Sequence, residues 1–201
     1  MDVETRTTRW LRRGVLVLAG FVLLIAGSSV VFWQFRQTVA PYLTASPAME
    51  PTLHCARPRP GCEGDGMDRM FVLRFHPFWT PGRGDIVVFR PPESARLECG
   101  IARAFVKRIV GLPGEQVSIG LARGAGFVQI DETRLDEPYI ENGERDIGPE
   151  ETFRVPEGHY FVMGDNRSQS CDSRMFGSVP RDSFVGPVVA RFWPLDRMGS
   201  P

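Results

Sequence analysis

Lysine is almost missing from this 201-residue sequence: of 24 basic residues only Lys107 is a lysine, and the rest are arginines. A GC-rich coding bias accounts for the arginines but not for the exception. Arginine keeps its proton in a protein, whereas a buried lysine can lose it, so Lys107 is a candidate base. Net charge is also missing, since 24 acidic residues balance the basic ones. No basic run stands out, which excludes nucleic acid as a partner. Histidine is scarce: His54, His76 and His159 form no closely spaced pair. The four cysteines, Cys55, Cys62, Cys99 and Cys171, lie 7, 37 and 72 residues apart, which matches no common zinc pattern. The expectation is therefore no metal and no cofactor. Internal repeats, low-complexity tracts and any helical period after residue 40 are absent as well.

What is present is punctuation. Seventeen prolines and 21 glycines break the chain into short pieces. The strand-like ones are Met70–Phe75, Asp85–Arg90, Ala104–Val110, Gly126–Ile130, His159–Met163 and Val185–Phe192, several bounded by turns such as PGRGD, GLPGE and VPEGH. This predicts a mainly β domain over 41–201 whose loops carry the chemistry. Before it, residues 14–33 form an uncharged apolar run of 20, long enough to cross a hydrocarbon core of about 30 Å as a helix. Arg6, Arg9, Arg12 and Arg13 precede the run and Arg36 follows it. That bias predicts a cytoplasmic N-terminus over 1–13, a single-pass anchor over 14–33 and an extracytoplasmic domain. A cleaved signal peptide is disfavoured, because its apolar core is normally about 7–15 residues and the nearest small-x-small site, ending at Ala40, is followed by Pro41.

An even cysteine count in an extracytoplasmic domain predicts disulfides. Four cysteines allow three pairings. Cys55 and Cys62 flank a short proline-rich loop, so they are expected to pair, leaving Cys99 with Cys171. A second local feature is the aromatic cluster Phe75-His76-Pro77-Phe78-Trp79. Such rings insert among lipid headgroups or pack in a core, and the sequence leaves both readings open.

Lys107 lies in Ala104-Phe-Val-Lys-Arg-Ile-Val110. In a strand, Phe105, Lys107 and Ile109 share a face. Between two large apolar neighbours the amine is desolvated and its pKa falls, so that it can take a proton from a serine hydroxyl. In the competing arrangement Arg108 faces solvent and the lysine snorkels to water. Alternation alone does not separate the two.

Four blocks, in order, resemble the conserved boxes of type I signal peptidases, the membrane-anchored Ser–Lys endopeptidases. They are Ser46-Pro-Ala-Met-Glu-Pro-Thr-Leu53, Arg83-Gly-Asp-Ile-Val-Val-Phe89, Phe105-Val-Lys-Arg-Ile-Val-Gly-Leu-Pro-Gly-Glu115, and Gly164-Asp-Asn-Arg-Ser-Gln-Ser-Cys-Asp-Ser-Arg174. The resemblance implies a β domain of short, coiled antiparallel sheets behind one transmembrane helix. It implies removal of signal peptides from exported preproteins at the outer face of the plasma membrane. It also implies signal peptides, the lipid bilayer and the secretion machinery as partners. Lys107 matches the general base, and Ser170 the serine that holds the lysine amine. Asp165, Asp172 and Arg174 match residues that support the site. Ser46 matches the serine that donates to the oxyanion.

One position breaks the pattern. Where the family keeps its nucleophilic serine this chain has Ala48, and a methyl group cannot attack a carbonyl. An engineered serine-to-alanine trap and a natural inactive homologue that binds signal peptides both fit. A shifted nucleophile, Ser46, is harder: two residues along a strand span about 6–7 Å, whereas reacting atoms must come within about 3–3.5 Å. A self-cleaving repressor-type Ser–Lys domain is disfavoured by the apolar run in front.

Overall fold

The structure is a computed structural model. It describes residues 3–74, 79–100, 103–122, 125–140 and 150–201, without the side chains of 3–19, 35, 122 and 125. The chain divides into two compact units, residues 1–39 and 40–201. The first is a helix, α1 (Val3–Thr38). Phe21, Leu23, Leu24, Val31, Phe32 and Trp33 on it are 61–72% exposed. Among the described residues no helix is long and apolar enough to cross a membrane. Residues 14–19 of the apolar run lie outside the described side chains.

The second unit is mainly β. In chain order its elements are β1 (Val39–Leu43), β2 (Arg69–Leu73), β3 (Ile86–Phe89), α2 (Glu93–Cys99), β4 (Phe105–Gly111), β5 (Gln116–Ala122), β6 (Ala125–Ile130), β7 (Thr133–Arg134), β8 (Glu151–Arg154), β9 (His159–Met163), α3 (Ser173–Phe176), β10 (Val179–Pro180) and β11 (Phe184–Trp193). They form a seven-stranded sheet, β1-β2-β11-β3-β4-β9-β10, and a four-stranded sheet, β7-β6-β5-β8. From β2 through β10 the neighbours in the large sheet pair antiparallel.

All six strand-like segments are strands in the structure, shifted at their ends by a residue or two. β1, β5, β7, β8 and β10 add to them; β5 alternates through Val117, Ile119 and Leu121, while the other four are too short or irregular to show an alternation. The helices α2 and α3 are too short to produce a readable period.

The strand β4 is central because it is wanted on both faces. Its residues Lys107–Gly111 are all buried. One side joins Val87, Phe89, Ile109, Val162 and Phe184 in a core cluster, against which Phe105 packs. On the other side Val110 joins Val117, Val128, Phe161 and Met163, so the small sheet packs on the large one. A third cluster, built on Met49, Leu53, Met70, Val72 and Val88, packs the segment after residue 46 against the large sheet.

β11 serves two partners, pairing with β3 through Phe184–Pro187 and with β2 from Val188 onward. The changeover occurs near Gly186, where φ is +156° and an added Cβ would lie 1.9 Å from the Leu73 carbonyl oxygen. Only a residue without a side chain fits there.

Of the aromatic cluster, residues 75–78 lie outside the described residues. Trp79 is turned inward. Its ring centroid lies 6.2 Å from that of Phe184, the Arg181 guanidinium covers it at 5.0 Å, and its Nε1–H donates to Asp85 at 3.2 Å. For Trp79 the core arrangement is therefore the observed one.

Gly186→Ala is expected to lower unfolding free energy by about 1–3 kcal/mol from backbone strain alone. Gly66→Ala, where no atom lies within 4 Å of the new carbon, serves as the control. Denaturant midpoints in detergent compare the two, and equal midpoints would refute the close approach.

Candidate active site

Three segments with little in common along the chain meet at one end of β4. The first is the turn after β1. Ser46 is extended (φ −136°, ψ 155°) and caps a short 3-10 turn, Pro47–Met49. The strand spacing that would separate Ser46 from Ala48 therefore does not apply, because a turn joins them. Pro47 starts the turn because its fixed φ suits a helical first position. Ala48 is buried, Ser46 is exposed, and both line the same cavity of about 360 Å³.

The second segment is β4 itself. Lys107 stands opposite Val87 and is 4% exposed. Its Nζ lies 5.8 Å from the centroid of the Phe105 ring, and it lines the cavity with Ala48. The alternative in which Arg108 faces water and lets the lysine escape does not occur, since Arg108 is itself buried. Desolvation pulls the lysine pKa down from its ordinary value to about 8. The Asp172 carboxylate opposes that shift, the Arg174 guanidinium adds to it, and Asp165 opposes it again.

The third segment follows β9. Asp165 is fully buried and accepts two bonds from Arg108, from Nε at 2.9 Å and from Nη2 at 2.6 Å. Thr52 Oγ1 donates to it at 2.5 Å. The backbone N–H of Asn166 donates to the Ala48 carbonyl at 3.2 Å. Asp172, also fully buried, accepts from Arg174 Nε at 2.8 Å, from Arg174 Nη2 at 2.9 Å and from the Gly164 N–H at 3.0 Å. Burial pushes the Asp172 pKa up. The Arg174 guanidinium, Lys107 and the Gly164 N–H outweigh it and hold the carboxyl below its ordinary value.

Gly164 lets these segments close on one another. A Cβ there would lie 2.2 Å from Ser170 Oγ and 2.3 Å from the Ala48 carbonyl. The Ser170 hydroxyl therefore rests over a bare Cα. It is buried and has no hydrogen-bond partner among the described residues, so the bond to Lys107 implied by the resemblance is not formed in this structure.

Ser46, Ala48, Lys107, Cys99 and Cys171 line one cavity, Ser170, Asp165, Asp172 and Arg174 belong to the segment after β9, and Cys55 and Cys62 lie apart from the cavity. Several that the sequence did not single out complete the frame. Arg108 stacks on Tyr139 at 4.0 Å and donates to the Gly84 carbonyl at 2.9 Å. Arg167 donates to the Gly164 carbonyl at 3.0 Å and to the buried Glu137. Arg108 adjoins Lys107 and Arg167 lies within the last box, but charge alone does not separate an exposed residue from a buried one.

Beyond the cavity, Glu50, His54 and Glu63 bring potential ligand atoms within 4.8 Å of one another, as do Glu50, Cys55 and Cys62. Glu50 already accepts the backbone N–H groups of Cys55 at 2.8 Å and Glu63 at 3.2 Å, and it contacts His54 Nδ1. These bonds account for the buried carboxylate without an ion. The cysteines lie in two close pairs. The Cα atoms of Cys55 and Cys62 are 5.0 Å apart and those of Cys99 and Cys171 are 5.8 Å apart, both within disulfide range.

Residues 12–193 match the family described as signal peptidase, peptidase S26. The chain belongs to that family. Over 192 residues it is 34% identical to a probable signal peptidase I-2 of Synechocystis, a match covering 94% of this chain and 76% of the relative. Over 136 residues it is 41% identical to a signal peptidase I of Leptolyngbya laminosa, covering 66% of this chain and 63% of that one. The chain thus spans somewhat less than two thirds of the Leptolyngbya relative. Among solved structures, a signal peptidase I from Enterococcus faecalis matches 55% of this chain and 98% of its own, with a TM-score of 0.44 and 32% identity. Signal peptidase I is a serine endopeptidase family, and its relatives are membrane proteases.

Being the sole lysine, Lys107 gives a single side-chain signal in protein carrying isotope-labelled lysine. Its titration midpoint is expected near 8, with the amine neutral above that pH and charged below it. A midpoint at the ordinary lysine value of about 10.4 would contradict the desolvated site.

Proposed function

We propose that this chain is a membrane-anchored signal peptidase scaffold. It binds signal peptides of exported preproteins at the outer face of the plasma membrane, and it lacks the atom that cleaves them. The observation that carries this reading is the buried Lys107 amine lining one cavity with Ala48. In this reading Lys107 is the base, Ser170 turns to hold its amine, and Ser46 supplies a hydroxyl to the oxyanion. Asp165, Asp172 and Arg174 keep the walls in place. A serine at position 48 would place its hydroxyl within the lysine's cavity. The amine would take the hydroxyl proton as the oxygen attacks the scissile carbonyl, and would then return that proton to the leaving amine.

Loss of a serine protease's nucleophile costs about 10⁶ in turnover, so the chain as it stands should cleave preproteins at background. Ala48→Ser adds one oxygen and is expected to restore cleavage, with activity rising as pH climbs through about 8. In that background Lys107→Arg should be as damaging as Lys107→Ala, because arginine stays protonated. If Ala48→Ser stays inert while peptides still bind, the chain is a binding homologue. A specific observation keeps one other reading open: the 3-10 turn puts Ser46 and Ala48 on one cavity. Normal cleavage by the unaltered chain, abolished by Ser46→Ala, would make Ser46 the nucleophile.

The lipid bilayer is the second proposed partner. Residues 14–33 of α1 carry no charge and are mostly apolar, and the arginine bias orients it with its N-terminus in the cytoplasm. On the β unit, Leu43, Met67, Trp193, Leu195 and Met198 are 40–68% exposed. The first three line an apolar groove with Phe192 and Tyr42. A patch of this kind suits a lipid surface. Protease added outside intact cells is expected to digest residues 41–201 and spare the N-terminus. A protected domain would reverse the topology.

Disulfides Cys55–Cys62 and Cys99–Cys171 are part of the proposal, supported by both Cα distances and by an oxidising exterior.

A further inference from the structure

The two cysteine pairs do different things. Cys55 and Cys62 are 7 residues apart and close their own loop. Cys99 and Cys171 are 72 residues apart, and both line the cavity that holds Lys107 and Ala48. Cys171 stands between Ser170, whose hydroxyl is buried over Gly164, and Asp172, whose negative charge raises the lysine pKa against burial. Cys99 is the last residue of α2, which belongs to neither sheet. α2 is held by Ala95 in the core and by a bond from Ser94 Oγ to the Phe176 carbonyl, 3.1 Å. The segment 166–171 makes no strand. Its own turn is held by Asn166 Oδ1, which accepts from Gln169 N and Ser168 Oγ. One wall of the cavity is therefore a small helix, the other is a turn, and the sulfur bridge is the covalent tie between them.

We propose that Cys99 and Cys171 are positioning residues for the reaction: their bond joins the segment that carries Ser170 and Asp172 to α2 and keeps water away from Lys107. The bearing on catalysis rests on the peptidase reading above, whereas the bearing on the lysine rests on the geometry alone. Opening the bond is a two-electron exchange. A dithiol attacks one sulfur and displaces the other as a thiolate. Its second thiol then closes the reagent into a cyclic disulfide, leaving two protein thiols. With the tie gone, the turn keeps its bonds to Arg174 and Asp172 stays on Gly164, but it is no longer joined to α2, and solvent enters between the two walls and reaches the amine. The bond persists where the surroundings are oxidising, so the cavity takes its working shape outside the cytoplasm.

The sole lysine makes this directly measurable. The full chain in detergent is modified with an amine reagent over a range of pH, and peptide mass spectrometry separates Lys107 from the only other amine, the N-terminus. With both bonds closed the rate should be low and its midpoint near 8. With dithiothreitol, or in Cys99→Ser/Cys171→Ser, the plateau rate should rise. The midpoint should move by roughly two pH units toward the ordinary value of about 10.4. Cys55→Ser/Cys62→Ser should leave the midpoint where it is, and dithiothreitol should still shift it in that variant. An unchanged midpoint after opening Cys99–Cys171 overturns the proposal. So does loss of the whole β signal in circular dichroism, because the bond would then be holding the fold rather than a wall. In the Ala48→Ser background, opening the bond should lower kcat with little change in KM. If that background proves inactive while the lysine midpoint still shifts, the peptidase reading fails and the positioning role stands.

Discussion

A carboxylate sealed from water must find its positive charge close by, and Asp165 finds it on Arg108. Removing either partner would leave a bare charge in the interior, a change that commonly costs about 3–5 kcal/mol. The pair therefore fixes more than two side chains. Arg108 belongs to β4, Asp165 to the loop after β9, and Thr52, which donates to the same carboxylate, to the segment just after Ala48. One carboxylate thus anchors three stretches of chain more than fifty residues apart. The cavity is what remains between them.

Around this anchor the electrostatics divide the work. Arg108 and Asp165 are satisfied by each other, and Arg174 and Asp172 form a second pair on the same loop. Lys107 lies near both and belongs to neither. It feels their charges only as opposing small fields, so burial dominates its titration. A lysine in a full ion pair would stay protonated and could take no proton. Asp165 and Asp172 are each committed to an arginine, which is what leaves the amine free to act as the proposed base.

Much of this was legible in the sequence. The lone lysine, its alternation with Phe105 and Ile109 and the box residues led to the cavity, and the cysteine spacing led to both close pairs. The rest was hidden for identifiable reasons. β5 does alternate, with Val117, Ile119 and Leu121 on one face, and was simply not singled out, whereas the edge strand β8, Glu-Thr-Phe-Arg, is too short and polar to show a rhythm. Arg108, Arg167 and Glu137 read as ordinary surface charges, because burial of an ion pair depends on residues far along the chain. The turn at Pro47–Met49 had no signal beyond Pro47, since a single 3-10 turn leaves no periodicity. For the aromatic cluster Phe75–Trp79 the sequence leaves lipid contact and core packing open, and its described member, Trp79, packs on Phe184.

Lys107 and Arg108 are neighbours in sequence yet face opposite ways, and the pairing of β4 with β3 and β9 decides which faces the cavity. A slip of a single residue would exchange them. The permanently charged guanidinium would then occupy the cavity, and the amine would be left to pair with Asp165. Such a chain could retain its strands and most of its burial and still be chemically dead. The unbroken pairing of Ile86–Phe89 with Phe105–Arg108 therefore governs protonation state as much as shape: the alignment of two strands sets whether the cavity holds an amine that can lose its proton or a guanidinium that cannot.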